Sequence, residues 1–142
     1  MSTEGLRKML EGEEGRRRTV YKDSLGIATI GVGRNLEGKG LDDSEINYLL
    51  ENDIIDVYED AKRMHPWILE LSEPRRDALL AMLFQLGLNK FSQFQLMLAA
   101  ARAGHWEEAA RQLLDSTFAK QVPARAGRLR LQLVSDTYQF VP

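Results

Sequence analysis

The amino-acid sequence predicts an α+β fold that is mostly helical and has two lobes. Two strand-like runs joined by turn-forming residues predict a small β-hairpin lobe over about residues 15–40. A long amphipathic pattern predicts a connecting helix over about 42–63, and further helical patterns predict a larger helical lobe over about 64–142. The N-terminal helix, 3–14, is assigned to the larger lobe. The length of 142 residues fits one domain.

The first elements are a short helix and the hairpin. Thr3 is a typical capping residue for the start of the helix, and Gly15 is a typical residue just beyond its end. The strand-like runs 17–22 and 27–33 are separated by the turn-forming segment 23–26. Turn residues between β-branched runs are the usual signature of a β-hairpin.

Capping signals and apolar spacing define the remaining helices. Asp42 and Glu45 have the spacing of a capping box, and the helix that follows ends near Arg63, before Pro66. The segment 78–86 is apolar on nearly every side, which predicts a buried central helix. Further helices are predicted at about 92–103, 106–114 and 123–134.

Composition excludes several kinds of chemistry. The chain has no cysteine, which excludes disulfides, a thiol nucleophile and thiolate metal ligands. It has only two histidines, so a multi-histidine metal site is not expected either. We therefore expect no metal and no cofactor, and carboxylates become the leading candidates for acid–base catalysis.

Hydropathy argues against membrane insertion and secretion. No uncharged stretch reaches the roughly 18 apolar residues that span a bilayer. The N-terminal segment lacks the apolar core of a secretory signal. We expect a chain that folds in the cytoplasm, without a signal peptide or a membrane anchor.

The net charge of −2 conceals an uneven distribution. Residues 37–73 hold 11 acidic and 3 basic residues, and the remainder holds 16 basic and 10 acidic residues. One interpretation is that the acidic segment is simply a solvated helix. The other is that the basic parts face a polyanion while the acidic segment points elsewhere.

Several carboxylates could take part in catalysis. Glu11 lies on the polar side of the first helix, where solvation explains it. Glu13 and Glu14 both continue its apolar face, and helical spacing does not choose between them or between catalysis and an ion pair. Asp23 begins the hairpin turn, where aspartate commonly accepts hydrogen bonds from its own backbone.

The second strand carries an unusual face. Alternation places Thr29 on the same side as Gly31 and Gly33, opposite an apolar side. Glycine weakens a strand unless another group must approach its backbone closely. The bare face with one hydroxyl therefore predicts a platform for a substrate.

One pattern of residues resembles a known family. The pattern EG-x5-Y-x-D-x5-TIGxG begins at Glu14 and ends at Gly33. Three later segments follow in order: RDAL and MLFQLG within 76–87, WEEAA at 106–110 and PARA at 123–126. Together they resemble the phage-type, T-even-like lysozymes of glycoside hydrolase family 24, a group that includes endolysins. The similarity covers nearly the whole chain and implies a lysozyme-like fold.

The resemblance implies a role for each matching residue. It selects Glu14 as the general acid that protonates the glycosidic oxygen, with Asp23 as the second carboxylate and Thr29 beside the anomeric carbon. An inverting reaction of this kind needs the two carboxyl groups roughly 6.5–9.5 Å apart, with a water between them. Arg125 matches an arginine that pairs with the catalytic glutamate, and Phe84 matches an aromatic residue of the substrate cleft. Gly31 and Gly33 complete the expected substrate-binding residues.

The implied function is that of an endolysin. It would hydrolyse the β-1,4 bond between N-acetylmuramic acid and N-acetylglucosamine in peptidoglycan and so lyse the host cell. A monomer without nucleic-acid partners would wait in the host cytoplasm until a holin releases it to the periplasm and cell wall. Two alternatives are a lytic transglycosylase acting on the same bond and a membrane-active lysis protein that uses the basic segment 123–134.

The chain also departs from its family. The segment between the hairpin and the long helix is short, so we expect a minimal small lobe. Arg34 stands where a relative has a histidine that forms an ion pair within that lobe. Asn35 stands in place of an apolar substrate contact, Met97 in place of a serine and Gln112 in place of an asparagine. These departures concern individual sugar-binding positions rather than the chemistry.

Overall fold

A computed structural model describes all of residues 1–142. It contains eight α-helices, one 3-10 helix and three short strands, which confirms the predicted, mostly helical α+β class. In chain order the elements are α1 (Glu4–Glu14), β1 (Arg17–Lys22), β2 (Ala28–Gly31), β3 (Arg34–Asn35), α2 (Asp43–Met64), the 3-10 helix (Pro66–Glu70), α3 (Glu73–Leu86), α4 (Leu88–Ser92), α5 (Gln95–Arg102), α6 (Trp106–Leu114), α7 (Thr117–Gln121) and α8 (Pro123–Ser135). None of these helices combines the length and the hydrophobicity that crossing a bilayer requires.

The chain forms two compact units, residues 1–50 and residues 51–142. The boundary falls inside α2, which runs without interruption from Asp43 to Met64. Helix α1 lies in the first unit together with the sheet. The assignment of α1 to the larger lobe stays a prediction.

The sheet of the first unit has three antiparallel strands in the order β1-β2-β3. The sequence predicts only two, the second extending to residue 33. In the structure β2 ends at Gly31 because both Gly31 (φ 68°) and Gly33 (φ 64°) adopt positive φ, which is incompatible with an extended strand. The chain turns there and returns as β3, whose Asn35 pairs with Thr29 on the central strand.

The predicted limits of α1 are correct at one end only. Gly15 ends the helix as expected, and its N–H donates to the Glu11 carbonyl at 3.0 Å. The Thr3 side chain forms no capping hydrogen bond, so the predicted cap is wrong. Thr3 has φ −102° and ψ 3° instead of the extended backbone typical of a capping residue, and Ser2 Oγ accepts the Glu4 N–H at 3.3 Å.

The start of α2 carries the predicted capping box. The Glu45 N–H donates to Asp42 Oδ1 at 2.9 Å, and the Asp42 N–H donates to Glu45 Oε1 at 3.0 Å. The Arg34 guanidinium approaches the same carboxylate, with Nη2 2.6 Å from Glu45 Oε2. This hydrogen bond is the main reason that the pKa of Glu45 is lowered. The first unit thus ties its third strand to the start of α2.

The second unit has a continuous hydrophobic core. The middle of helix α3 is buried as predicted and contributes Ala78, Leu79, Leu80, Met82 and Leu83. The predicted burial does not extend to its end, where Phe84 and Gln85 are exposed. Helix α6 packs against both α5 and α8. Burial of these apolar side chains provides the main stabilisation of the unit.

Two short helices of the second unit were not predicted. The sequence predicts one helix over 92–103, but the structure has α4 and α5 separated by a turn, and α7 adds a further five residues. Helices this short are not stable on their own. They are held by tertiary packing, since Phe91 of α4 and Phe118 of α7 are both buried.

Candidate active site

Glu14, the last residue of α1, lies against the turn that follows β2. A Cβ atom placed on Gly33 would be 2.9 Å from Glu14 Oε2 and 3.0 Å from its Cδ. The carboxylate therefore occupies space that any residue other than glycine would need at position 33. Because Glu14 is otherwise exposed, it combines a fixed contact on one side with access to solvent on the other.

The two glycines of this turn differ in their surroundings. Gly33 accommodates the Glu14 carboxylate, whereas a Cβ at Gly31 would meet no atom within 4 Å. The absence of a side chain at position 33 allows another group to approach the backbone closely, as expected. The group that approaches is the Glu14 side chain of the protein itself. The substrate-binding role of both glycines stays a prediction.

The Asp23 carboxylate organises the first turn of the sheet. Its Oδ1 atom accepts hydrogen bonds from the N–H groups of Leu25 (2.8 Å) and Ile27 (2.9 Å). This confirms the expectation that Asp23 bonds its own turn. Its Oδ2 atom accepts no protein hydrogen bond, and the residue is half-buried. One oxygen is thus fixed, and the other is available to a ligand.

Thr29 lies on the central strand of the sheet, between Tyr21 on β1 and Asn35 on β3. Its relative exposure is 4%, so the expectation of a hydroxyl on a bare surface is wrong, while its role beside the substrate stays a prediction. Thr29 is buried because β1 and β3 lie on either side of its strand. The alternation of residues along β2 alone does not reveal these neighbours. The Thr29 hydroxyl donates to the Ile27 carbonyl at 2.9 Å, which leaves its oxygen able to accept a hydrogen bond.

The other two glutamates of α1 have different environments. Glu11 Oε1 lies 3.0 Å from Arg16 Nη1, an exposed ion pair. Glu13 is exposed and forms neither an ion pair nor a side-chain hydrogen bond. Of the three, Glu14 is the one whose carboxylate contacts the turn between β2 and β3. Helical spacing alone could not have distinguished it from Glu13.

The two remaining predicted residues belong to the second unit. Phe84, in the last turn of α3, is 46% exposed although Met82 and Leu83 just before it are buried, so it is not a core residue. Arg125 on α8 is half-buried and takes part in none of the chain's ion pairs. Its pairing with Glu14 stays a prediction.

Comparison with known proteins identifies the family. The model of the phage lysozyme family matches residues 11–130, which include every predicted site residue. This chain belongs to the phage lysozyme family.

Relatives of this phage lysozyme occur in different protein contexts. It is 29% identical to the pre-baseplate central spike protein Gp5 of Enterobacteria phage T4 over 94% of its own length, and it spans 28% of that protein. It is 29% identical to probable T4-type lysozyme 2 of Dictyostelium discoideum, with 87% of this chain and 90% of the relative covered. It is 30% identical to a SAR-endolysin of Bacteriophage PS119 over 61% of this chain and 53% of the relative.

Family membership makes the chain a glycoside hydrolase of the lysozyme type, whose substrate is peptidoglycan. The predicted family resemblance and the enzyme class are thereby confirmed. The numbered glycoside hydrolase family and the role of each site residue stay predictions.

Proposed function

We propose that this lysozyme is an endolysin that hydrolyses the β-1,4 bond between N-acetylmuramic acid and N-acetylglucosamine, with Glu14 as the general acid. The observation that carries the proposal is the placement of the Glu14 carboxylate over Gly33. The same compact unit holds Asp23 and Thr29, the other two residues that the reaction needs.

Hydrolysis of an acetal needs a proton donor on the leaving oxygen. Glu14 is exposed on the side away from Gly33, so its carboxyl group can reach a bound sugar. In the proposed step it donates a proton to the glycosidic oxygen while the bond from that oxygen to the anomeric carbon breaks. The leaving sugar departs with a new hydroxyl group.

The attacking water needs two acceptors. Oδ2 of Asp23 is free because Oδ1 alone holds the turn. The Thr29 oxygen also remains an acceptor, since its hydrogen is donated to Ile27. In our proposal Asp23 takes one proton from the water, and Thr29 accepts a hydrogen bond from the remaining O–H, which becomes the new anomeric hydroxyl. The water oxygen bonds the anomeric carbon with inversion, which matches the family expectation.

Substrate binding extends to further residues in this proposal. We assign Phe84 a stacking contact with a sugar ring, because it is a large aromatic side chain that the core leaves exposed. Arg125, Gly31 and Gly33 are proposed as the remaining substrate-binding residues. The basic residues outside 37–73 suit peptidoglycan, whose stem peptides carry carboxylates.

The proposed biological role is host-cell lysis. The enzyme would act as a monomer on peptidoglycan after a holin allows it to pass from the host cytoplasm to the periplasm and cell wall. The similarity to a SAR-endolysin supports a lytic role.

The structure also bears on the two alternatives. A lytic transglycosylase uses a single glutamate, whereas here Asp23 is held with one oxygen free, which favours attack by water. A membrane-active role for 123–134 needs an unoccupied apolar face. Helix α8 instead buries Ala126, Leu129 and Leu133 within the protein, which favours an ordinary packed helix.

The proposal is tested by clearing of a suspension of Gram-negative cells whose outer membrane has been stripped. Glu14→Gln removes the acidic proton with little change in size, and we expect turbidity clearing to fall at least about 100-fold, the lower range for loss of a general acid. Glu13→Gln is the matched control, one position away on the same exposed helix end, and should clear as fast as wild type. Equal activity of Glu14→Gln and wild type would overturn the assignment.

A further inference from the structure

The outer strand of the small sheet carries a run of positive charge. In the order β1-β2-β3, strand β1 has a neighbour on one side only, so its other edge is free. The segment 16–22 contains four basic residues and no acidic one. Every residue of β1 except Tyr21 is exposed. The free edge of the sheet is therefore basic and open to solvent.

Two of these four bases have partners within the first unit. Arg16 forms an ion pair with α1 at 3.0 Å. The Arg17 guanidinium lies over the Tyr21 ring, 4.9 Å from its centroid. Arg18 and Lys22 take part in none of the chain's ion pairs. Their charges are therefore available to a ligand.

Apolar side chains lie among these charges. Val20 is 55% exposed, and Leu25, in the turn at the tip of the hairpin, is 81% exposed. Val20 and Lys22 flank Tyr21 in the strand, so their side chains alternate to the side opposite its ring. We call the four residues Arg18, Val20, Lys22 and Leu25 the hairpin surface. It combines two free positive charges with two apolar side chains that the protein does not bury.

The backbone that presents the hairpin surface is fixed. At its tip, the Leu25 N–H donates to Asp23 Oδ1 at 2.8 Å, and the Asp23 N–H donates to the Ile27 carbonyl at 3.0 Å. A ligand therefore need not order this turn when it binds. Asp23 is the one acidic residue within 16–27, and the four bases of that segment leave the hairpin with a net positive charge.

We propose that the hairpin surface docks on a bilayer surface that contains anionic phospholipid. An anionic membrane surface attracts each nearby lysine or arginine, which suits Arg18 and Lys22. Val20 and Leu25 gain free energy by leaving water for the boundary between headgroups and acyl chains. A soluble polyanion would bind the charges but leave both apolar side chains in water. The mixture of the two kinds of side chain therefore favours a lipid surface.

Docking of this kind places the protein on a membrane rather than across it. Two bases and two apolar side chains form a small contact, so the attachment is reversible and weakens as salt screens the charges. The inference goes beyond the proposed function, because it concerns where the protein is held and not which bond it cleaves. Glu14→Gln should accordingly bind lipid as wild type does, whatever its effect on hydrolysis.

The test is cosedimentation with two kinds of vesicle, one of phosphatidylglycerol mixed with phosphatidylethanolamine and one of phosphatidylcholine alone. Wild type should sediment with the anionic vesicles and stay in solution with the neutral ones. The double variant Arg18→Gln/Lys22→Gln should bind the anionic vesicles about 30-fold more weakly, because it removes two attractions to the surface. Leu25→Ser should bind them about tenfold more weakly, because it removes an apolar contact.

Matched controls remove the same groups elsewhere. Arg102→Gln/Arg130→Gln removes two exposed bases of the second unit, and Leu96→Ser removes a leucine that is 68% exposed. Both controls should bind as wild type does. Equal binding of wild type to the two vesicles, no binding to either, or an equal loss in the controls would overturn the proposal. A loss in the charge variant with none in Leu25→Ser would also overturn it, since a soluble polyanion would then fit better.

Discussion

Glu14 Oε2 lies 2.9 Å from the position that a Cβ atom on residue 33 would occupy. This contact joins the end of α1 to the turn between β2 and β3. It also explains why the same sequence pattern contains both a glutamate and, nineteen positions later, a glycine. The placement of the proposed general acid therefore depends on the absence of a side chain at residue 33.

We expect Gly33→Ala to reduce activity strongly. Both Gly33 (φ 64°) and Gly31 (φ 68°) adopt positive φ, so alanine at either position costs about 1–2 kcal/mol of stability from backbone strain. Only the alanine at position 33 also displaces the Glu14 carboxylate. Thermal unfolding of the two variants measures the cost of backbone strain, and turbidity clearing measures the effect of displacing the Glu14 carboxylate.

Gly31→Ala is the matched control, because its Cβ meets no atom within 4 Å. We expect similar losses of stability in the two variants and an activity at least about tenfold lower in Gly33→Ala than in Gly31→Ala, because only the alanine at position 33 displaces Glu14. Equal activities would show that the contact does not position Glu14.

The Arg34–Glu45 pair predicts a dependence of stability on pH. Hydrogen bonding from Arg34 lowers the pKa of Glu45 below its ordinary 4.5. A carboxylate with a lowered pKa in the folded state stabilises the protein above its unfolded-state pKa, and this stabilisation is lost as the pH falls through the lowered value. Glu45→Gln keeps a capping side chain but removes the charge.

We therefore expect the melting temperature of wild type to exceed that of Glu45→Gln near neutral pH, with the difference shrinking as the pH falls below 4.5. Thermal melts of both proteins over a series of pH values measure this difference in melting temperature. A difference that stays constant down to low pH would contradict this role of the pair.

His65 makes the opposite end of α2 sensitive to pH. Its Nε2 atom lies 2.9 Å from Ser92 Oγ, its ring meets Phe91 edge-to-face, and burial lowers its pKa below 6.5. The neutral ring is favoured in the folded state, so its contribution to stability is full above pH 6.5. That contribution decreases as the pH falls from 6.5 to the lowered pKa, by at most about 1.4 kcal/mol per pH unit, and levels off below it. Urea unfolding of wild type and His65→Gln should show this slope in wild type alone, and a shared slope would assign it to another group.

Gly127→Ala should stabilise the protein. Gly127 lies inside α8, and a Cβ there would meet no atom within 4 Å. Alanine in a helix interior is favoured over glycine by about 0.5–1 kcal/mol. A rise in the melting temperature with unchanged clearing activity is expected, and a fall would mean that α8 needs the flexibility of glycine at this point.

Short-range signals predicted a large part of this fold. The capping box of Asp42 and Glu45 and the helix end at Gly15 were read correctly because each depends on residues close in sequence. Strand β3 and helices α4 and α7 were missed, since their formation depends on a turn with positive φ and on buried aromatic side chains.

The candidate site was predictable only in part. The residues of the motif could be named, but the choice of Glu14 over Glu13 came from the family resemblance, and the contact with Gly33 depends on how the turn folds. The contact between Tyr138 and Asp77, 61 residues earlier, had no sequence signal either, because it forms only when the C-terminal tail packs against α3.

The most direct test is mass spectrometry of the muropeptides released from purified peptidoglycan by wild type and Glu14→Gln. We predict that wild type releases fragments that end in a reducing N-acetylmuramic acid and that Glu14→Gln releases none. Fragments that end in 1,6-anhydromuramic acid, or the same products from both proteins, would contradict hydrolysis with Glu14 as the general acid.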